Sequence, residues 1–145
     1  IALSSLLQEL LQNAKFEAQQ HGKTLSNNTL PDIELNCDAI LLSSAIENIT
    51  RNAIKYASTA IEFEITPQTD QLVIRIKDDG QGVDEAALTE LGNAFYRTDS
   101  ARARQSGGIG LGLAIAKRAL FAHQGDIHFA NHQPHGLTVT ITLPL

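Results

Sequence analysis

Ile61-Glu62-Phe63-Glu64-Ile65-Thr66, then Pro67–Asp70, then Leu72-Val73-Ile74-Arg75-Ile76-Lys77 running into Asp78-Asp79-Gly80-Gln81-Gly82, is the stretch that decides the fold. Ile61, Phe63 and Ile65 alternate with Glu62, Glu64 and Thr66, and Leu72, Ile74 and Ile76 alternate with Val73, Arg75 and Lys77. A period of two sends successive side chains to opposite faces of a strand. Pro67–Asp70 reads as a turn, so the two runs predict an antiparallel hairpin. One face of it is apolar and the other polar, which calls for a single helical layer over the apolar face.

Outward from the hairpin, the period changes. Residues 38–57 predict the clearest helix, with Leu42, Ala45, Ile46, Ile49, Ala53 and Ala57 along one face. Residues 4–21 carry Leu6, Leu7, Leu10, Leu11 and Ala14 at helical spacing. Thr24–Leu35 is short and irregular, with room for one or two strands between turn signals. Gly110–His123 predicts a third helix, with Leu111, Leu113, Ala114, Ile115 and Leu120 available for a core. Ile127–Ala130 and Leu137–Leu143 complete the strands. The fold class is α/β: a two-layer sandwich whose mixed, mostly antiparallel sheet is covered on one face by about three helices. Residues 83–107, with a short helical possibility near Asp84–Leu91, form a loop whose length suits a lid or a disordered segment.

Bulk composition narrows the function. The 145 residues suit one domain, and 43% hydrophobic content supports a real core. A net charge of -5 excludes a general nucleic-acid surface, which needs a clustered basic footprint. The single cysteine, Cys37, excludes an internal disulfide and is compatible with a reducing compartment. No apolar run reaches the roughly 18–20 residues that span a bilayer. The chain starts at Ile1 without a Met, as expected of a piece of a longer protein.

Three polar segments stand out against this frame. Asn48 and Asn52 are four apart and Lys55 follows three later, so they project from one side of a helix. Asn is a poor residue for a helix interior. An Asn amide oxygen suits Mg²⁺ and Lys55 suits phosphate charge; the alternative is a solvated helix face. Asp78 begins Asp-x-Gly-x-Gly at a strand end. A carboxylate only accepts hydrogen bonds, so a buried Asp78 favours the exocyclic amine of adenine over the carbonyl of guanine. Gly80 and Gly82 allow close approach or positive φ; the alternative is a plain Asp-Gly turn. Gly107-Gly108-Ile109-Gly110-Leu111-Gly112-Leu113 leads into a helix whose exposed N–H groups suit phosphate; the alternative is a flexible loop. It matches neither the dinucleotide-binding fingerprint nor the P-loop. Arg97, Arg102 and Arg104 in the lid either fold onto a γ-phosphate or are solvated. The five histidines show no metal-ligand spacing, and structural or surface roles are expected.

In this order and spacing the segments resemble the ATP-binding catalytic domain of bacterial sensor histidine kinases, within the ATPase superfamily of gyrase, Hsp90 and MutL. The resemblance covers roughly residues 24–145. Asn48–Tyr56 looks like the N box, Asp78–Val83 the G1 box, Phe95-Tyr96-Arg97 the F box and Gly108–Leu113 the G2 box. The run from Phe95 to Arg104 is similar to that of envelope-stress-type membrane sensors. The resemblance implies Mg²⁺ at Asn52, adenine at Asp78, and Tyr56 beside adenine or ribose. It implies phosphate contacts from Lys55, Arg97, Arg102 and the glycine segment (Gly108, Gly110, Leu111, Gly112, Leu113), with Gly80 and Gly82 lining the base. It divides the chain at residue 22: 1–22 as the exit from a dimerisation domain, and 23–145 as the catalytic domain, with its lid at 83–107.

Two departures from the family pattern carry consequences. Gly92 stands where the F box usually has an aromatic, implying looser lid packing. Asn48 occupies the place of the general-base Glu in the superfamily's ATP hydrolases, and Glu47 points about 100° away. Slow hydrolysis fits a domain that hands its γ-phosphate to a protein histidine. None of the five histidines is followed by the Glu/Asp and Pro of a phosphoacceptor site, so the acceptor is expected on the upstream dimerisation domain. An aspartate of a response regulator would receive the phosphate next. The fragment is expected to be monomeric, without nucleic acid or membrane contact, at the cytoplasmic side of a bacterial inner membrane. Competing readings are a non-catalytic nucleotide-binding module, an ATP-driven conformational machine and a serine-directed kinase of the same fold.

Overall fold

The computed structural model describes residues 2–83, 108–132 and 134–145. The elements run α1 (Leu3–Gln20), β1 (Thr24–Asn27), α2 (Ala39–Tyr56), β2 (Ala60–Pro67), β3 (Gln71–Asp78), α3 (Gly108–Ala122), β4 (Asp126–Asn131) and β5 (Leu137–Pro144). The strands form one sheet in the order β1-β2-β3-β5-β4. β1 pairs with β2 in parallel, and the other pairs are antiparallel. The hairpin predicted from the alternation is β2–β3, with Ile65 opposite Ile74 and Ile61 opposite Asp78.

One face of this sheet is the core. Ile61, Phe63, Ile65, Leu72, Ile74, Ile76, Val139, Ile141 and Leu143 are all buried against the helices. On α2 the predicted stripe of Leu42, Ala45, Ile46, Ile49, Ala53 and Ala57 is buried throughout. Leu3, Leu7, Leu10, Leu11, Ala14 and Ala18 of α1 join the same core and pack α1 along α2. The opposite sheet face is wet and carries Glu64 between Arg75 (3.5 Å) and Lys77 (3.6 Å).

Two expectations need correction. Val73, assigned to the polar face, is only 4% exposed, because the flanking strands cover it with Thr66 and Thr142. Ile115, assigned to the core, is 43% exposed. At about 100° per residue it lies on the far side of α3 from the buried Leu113, and Ala116 and Ala119 take the inner positions.

The ends of α2 are held by a local cap and by groups distant in sequence. Asp38 caps its start by accepting from the Leu41 N–H at 3.0 Å. Lys23 donates to the Ile54 carbonyl at 2.6 Å, satisfying and charge-balancing the last turn. His123, just beyond α3, accepts from the Asp38 N–H at 2.9 Å through Nε2, and its Nδ1 meets the Ala119 carbonyl at 2.8 Å. The end of α3 therefore sits beside the start of α2. The two helices pack against each other. No helix among the described residues is long and apolar enough to cross a membrane.

Phe63 is the largest side chain of the buried sheet face, at 1% exposure. Phe63→Ala is expected to lower unfolding free energy by about 3–5 kcal/mol, read as a fall in the urea midpoint. A loss below about 1 kcal/mol would mean that the site collapses or that the helices do not pack on this face.

Candidate functional site

Strand alternation sends the two adjacent carboxylates at the end of β3 to opposite sides. Asp78 turns inward and is 6% exposed. Its Oδ1 accepts from the Gly80 N–H at 2.8 Å and, more weakly, from the Leu137 N–H at 3.4 Å. Among the described residues no donor meets its Oδ2. Burial pushes the Asp78 carboxyl above the usual carboxylate range, while those two N–H groups and the charge of His132 oppose the rise.

Asp79 turns outward and pins the α2–β2 turn. Its Oδ1 accepts from the N–H groups of Ser58 (2.8 Å), Thr59 (2.9 Å) and Ala60 (3.1 Å), and its Oδ2 from the Thr59 hydroxyl at 2.6 Å. Desolvation pushes this carboxyl up. The Thr59 hydroxyl and the three N–H groups outweigh it and hold the group far below the usual range. Asp79 was not singled out in the sequence, where Asp-Asp-Gly shows only one carboxylate's worth of signal.

Asn48, Asn52 and Tyr56 lie four apart along α2, each half-buried, and Lys55 is exposed with Nζ 5.6 Å from the Tyr56 ring centre. The Tyr56 hydroxyl is buried and has no hydrogen-bond partner among the described residues. Gly80 brings this helix to the Asp78 loop: a Cβ there would overlap the Tyr56 carbonyl oxygen. Gly82 has φ +74°, so its glycine answers a backbone need as well as a spatial one. Glu47 is exposed, off the face shared by Asn48 and Asn52.

Gly108, Gly110, Leu111 and Gly112 fall within the first turns of α3, which starts two residues earlier than its predicted start at Gly110. The first four N–H groups of a helix have no partner inside it. Leu113, expected at the site, is 1% exposed and lies in the core beneath that turn. Phe95, Arg97, Arg102, Arg104, Gly92 and the rest of the lid beyond Val83 lie outside the described residues. Among the described residues no cluster of three or more His, Cys, Asp or Glu could hold a metal.

A buried carboxylate, a helix face bearing two Asn side chains and a glycine-rich helix start are the features expected of a nucleotide-binding α/β sandwich. Comparison with known proteins agrees. Residues 37–145 match the family of histidine kinase-, DNA gyrase B-, and HSP90-like ATPases. The sensor histidine kinase CpxA of Escherichia coli K12 is 42% identical over 146 residues, covering 100% of this chain and 32% of CpxA. A mycobacterial sensor histidine kinase, MprB, superposes with a TM-score of 0.84 at 22% identity, covering 99% of this chain and 96% of that one. Full-length ShkA in complex with AMPPNP superposes at 0.81 with 23% identity, over 99% of this chain and 30% of ShkA. The chain belongs to the histidine kinase-, DNA gyrase B-, and HSP90-like ATPase family. It spans about a third of the length of the curated relative it matches.

The opposite shifts of the two carboxylates give a pH signature. The folded-state pKa of Asp79 is depressed, so its stabilisation is complete above the unfolded carboxylate value of about 4 and is lost as pH falls below it. Asp78 has the opposite sign: its charged form costs the fold at neutral pH, and protonation relieves that cost as pH falls. Asp79→Asn is expected to lower the urea midpoint at pH 7 and to flatten its fall below about pH 4. Identical midpoint-against-pH curves for variant and wild type would contradict the assignment.

Proposed function

We propose that this domain binds Mg-ATP and donates the γ-phosphate to a histidine on an upstream dimerisation domain, for relay to a response-regulator aspartate. Membership of the ATPase family and similarity to sensor kinases support ATP-dependent phosphotransfer; the acceptor and the relay are our reading. The observation that carries it is Asp78. Asp78 is only 6% exposed and burial raises its pKa, so its ionised carboxylate gains from an added hydrogen-bond donor. The exocyclic amine of adenine is a partner of the right polarity, and a guanine carbonyl is not.

The donor set fits the rest of the nucleotide. Asn52, with Asn48 one turn earlier, offers neutral amide oxygens of the kind Mg²⁺ accepts alongside phosphate oxygens and water. The absence of a carboxylate cluster among the described residues fits a metal that shares its ligands with the triphosphate. Lys55 brings positive charge to the same end of α2, and the N–H groups at the start of α3 face anions. Arg97 and Arg102 are assigned to phosphate by their place in the sequence. When bound, Mg-ATP supplies the transferable phosphoryl group. Asn48 cannot accept a proton, so this helix face does not activate water. Transfer to another protein group is favoured over hydrolysis.

The piece 1–22 is proposed to lead in from the dimerisation domain, and 23–145 to be the catalytic unit. In the whole protein the domain is proposed to work as part of a membrane-anchored sensor, at the cytoplasmic face. Calorimetric titration with Mg-AMPPNP tests the site. Wild type is expected to bind with Mg²⁺ dependence, Asn52→Ala to lose that dependence, and Asp78→Asn to weaken binding about tenfold or more, as for a lost hydrogen bond to a charged group. No binding by wild type in the millimolar range would overturn the proposal.

A further inference from the structure

The junction of β4 and β5 meets the Asp78–Val83 loop at Asn131, His135, Gly136 and Leu137. The Asn131 side chain acts as a surrogate peptide group. Its Oδ1 accepts from the Val83 N–H at 3.0 Å, and its Nδ2 donates to the Val83 carbonyl at 2.6 Å. A Cβ on Gly82 would overlap that same Oδ1, so the loop lies flat against the Asn131 amide. Four residues on, His135 Nδ1 lies 3.1 Å from the Gly80 carbonyl oxygen; a carbonyl only accepts, so Nδ1 carries the proton. Gly136 has φ +126°, and a Cβ there would overlap the Asp78 carbonyl oxygen. Leu137 then offers its N–H to the Asp78 carboxylate.

Loop residues 80, 82 and 83 are thus gripped by side chains or close packing from one turn. That turn makes no contact assigned to nucleotide. We propose that Asn131 and His135 are positioning residues for nucleotide recognition: they hold the backbone after Asp78 in the shape that admits the base. The inference rests on the nucleotide reading of Asp78 given above.

A built-in control separates positioning from plain stability. Asn28 makes the same paired contact with another strand residue: its Nδ2 donates to the Ile65 carbonyl and its Oδ1 accepts from the Ile65 N–H, both at 2.9 Å. Ile61 is the residue opposite Asp78, so Ile65 is four residues along the strand from that level, about 13 Å at the usual rise. Asn28→Ala removes two bonds from the fold without touching the loop.

The test is the Kd for Mg-AMPPNP, measured with thermal unfolding of the free domain, for Asn131→Ala, His135→Ala, His135→Asn and Asn28→Ala. Expected are about tenfold weaker binding for Asn131→Ala and about threefold for His135→Ala. His135→Asn, whose amide nitrogen stands near the position of Nδ1, is expected to restore wild-type affinity. Asn28→Ala is expected to lower Tm and leave Kd unchanged. If Asn131→Ala does not fold, the two His135 variants decide. Wild-type affinity in Asn131→Ala and His135→Ala would overturn the inference, as would an equal loss in Asn28→Ala. Absence of binding by wild type would instead remove the nucleotide reading, and this inference with it.

Discussion

The rest of the site depends on the split between two neighbouring carboxylates at the end of β3. Because strand side chains alternate, Asp78 enters the space beneath the helices while Asp79 reaches over the α2–β2 turn. Asp79 gathers the N–H groups of Ser58, Thr59 and Ala60 and so fixes where α2 ends and β2 begins. With the end of α2 fixed, the Tyr56 carbonyl can rest on Gly80, which has no Cβ to push it away. One residue therefore supplies order, and its neighbour supplies a buried carboxylate.

The sheet makes that arrangement affordable. Phe63, Ile74, Ile76 and Ile141 are buried with almost no exposure, giving β3 a rigid apolar base. An ionised carboxylate at the end of such a strand is costly to bury, and burial pushes the Asp78 pKa up. The two backbone N–H donors reduce it without removing it. The residual demand is directional: it selects a hydrogen-bond donor and rejects an acceptor. In the proposed function that donor is the exocyclic amine of adenine.

The periodic parts of this architecture were legible in the sequence. The β2–β3 alternation and the α2 stripe were read correctly because each residue's environment repeats with its own element. Val73 and Ile115 were misread because their burial is set by neighbours: Thr66 and Thr142 across the sheet, and the rotation of α3 against α2. Asp78 and the glycines around it were found because a short motif holds them together. Asn131 was not, since its partner Val83 lies 48 residues away and nothing local distinguishes it from a strand-end Asn. Asn28 and Lys23 were missed for the same reason; each serves a backbone group more than 30 residues distant. Side chains that replace a missing backbone partner leave no periodic trace.

The most direct test of this account is the affinity of the wild-type domain for ATP against inosine triphosphate, both with Mg²⁺. The two differ at C6, where an amine donor becomes a carbonyl acceptor, and at the neighbouring N1, where an acceptor becomes an N–H donor. If Asp78 recognises that amine, inosine triphosphate binds at least about a hundredfold more weakly, as for a buried charged group left facing an acceptor. Equal affinities would show that the buried carboxylate plays no part in recognising the base.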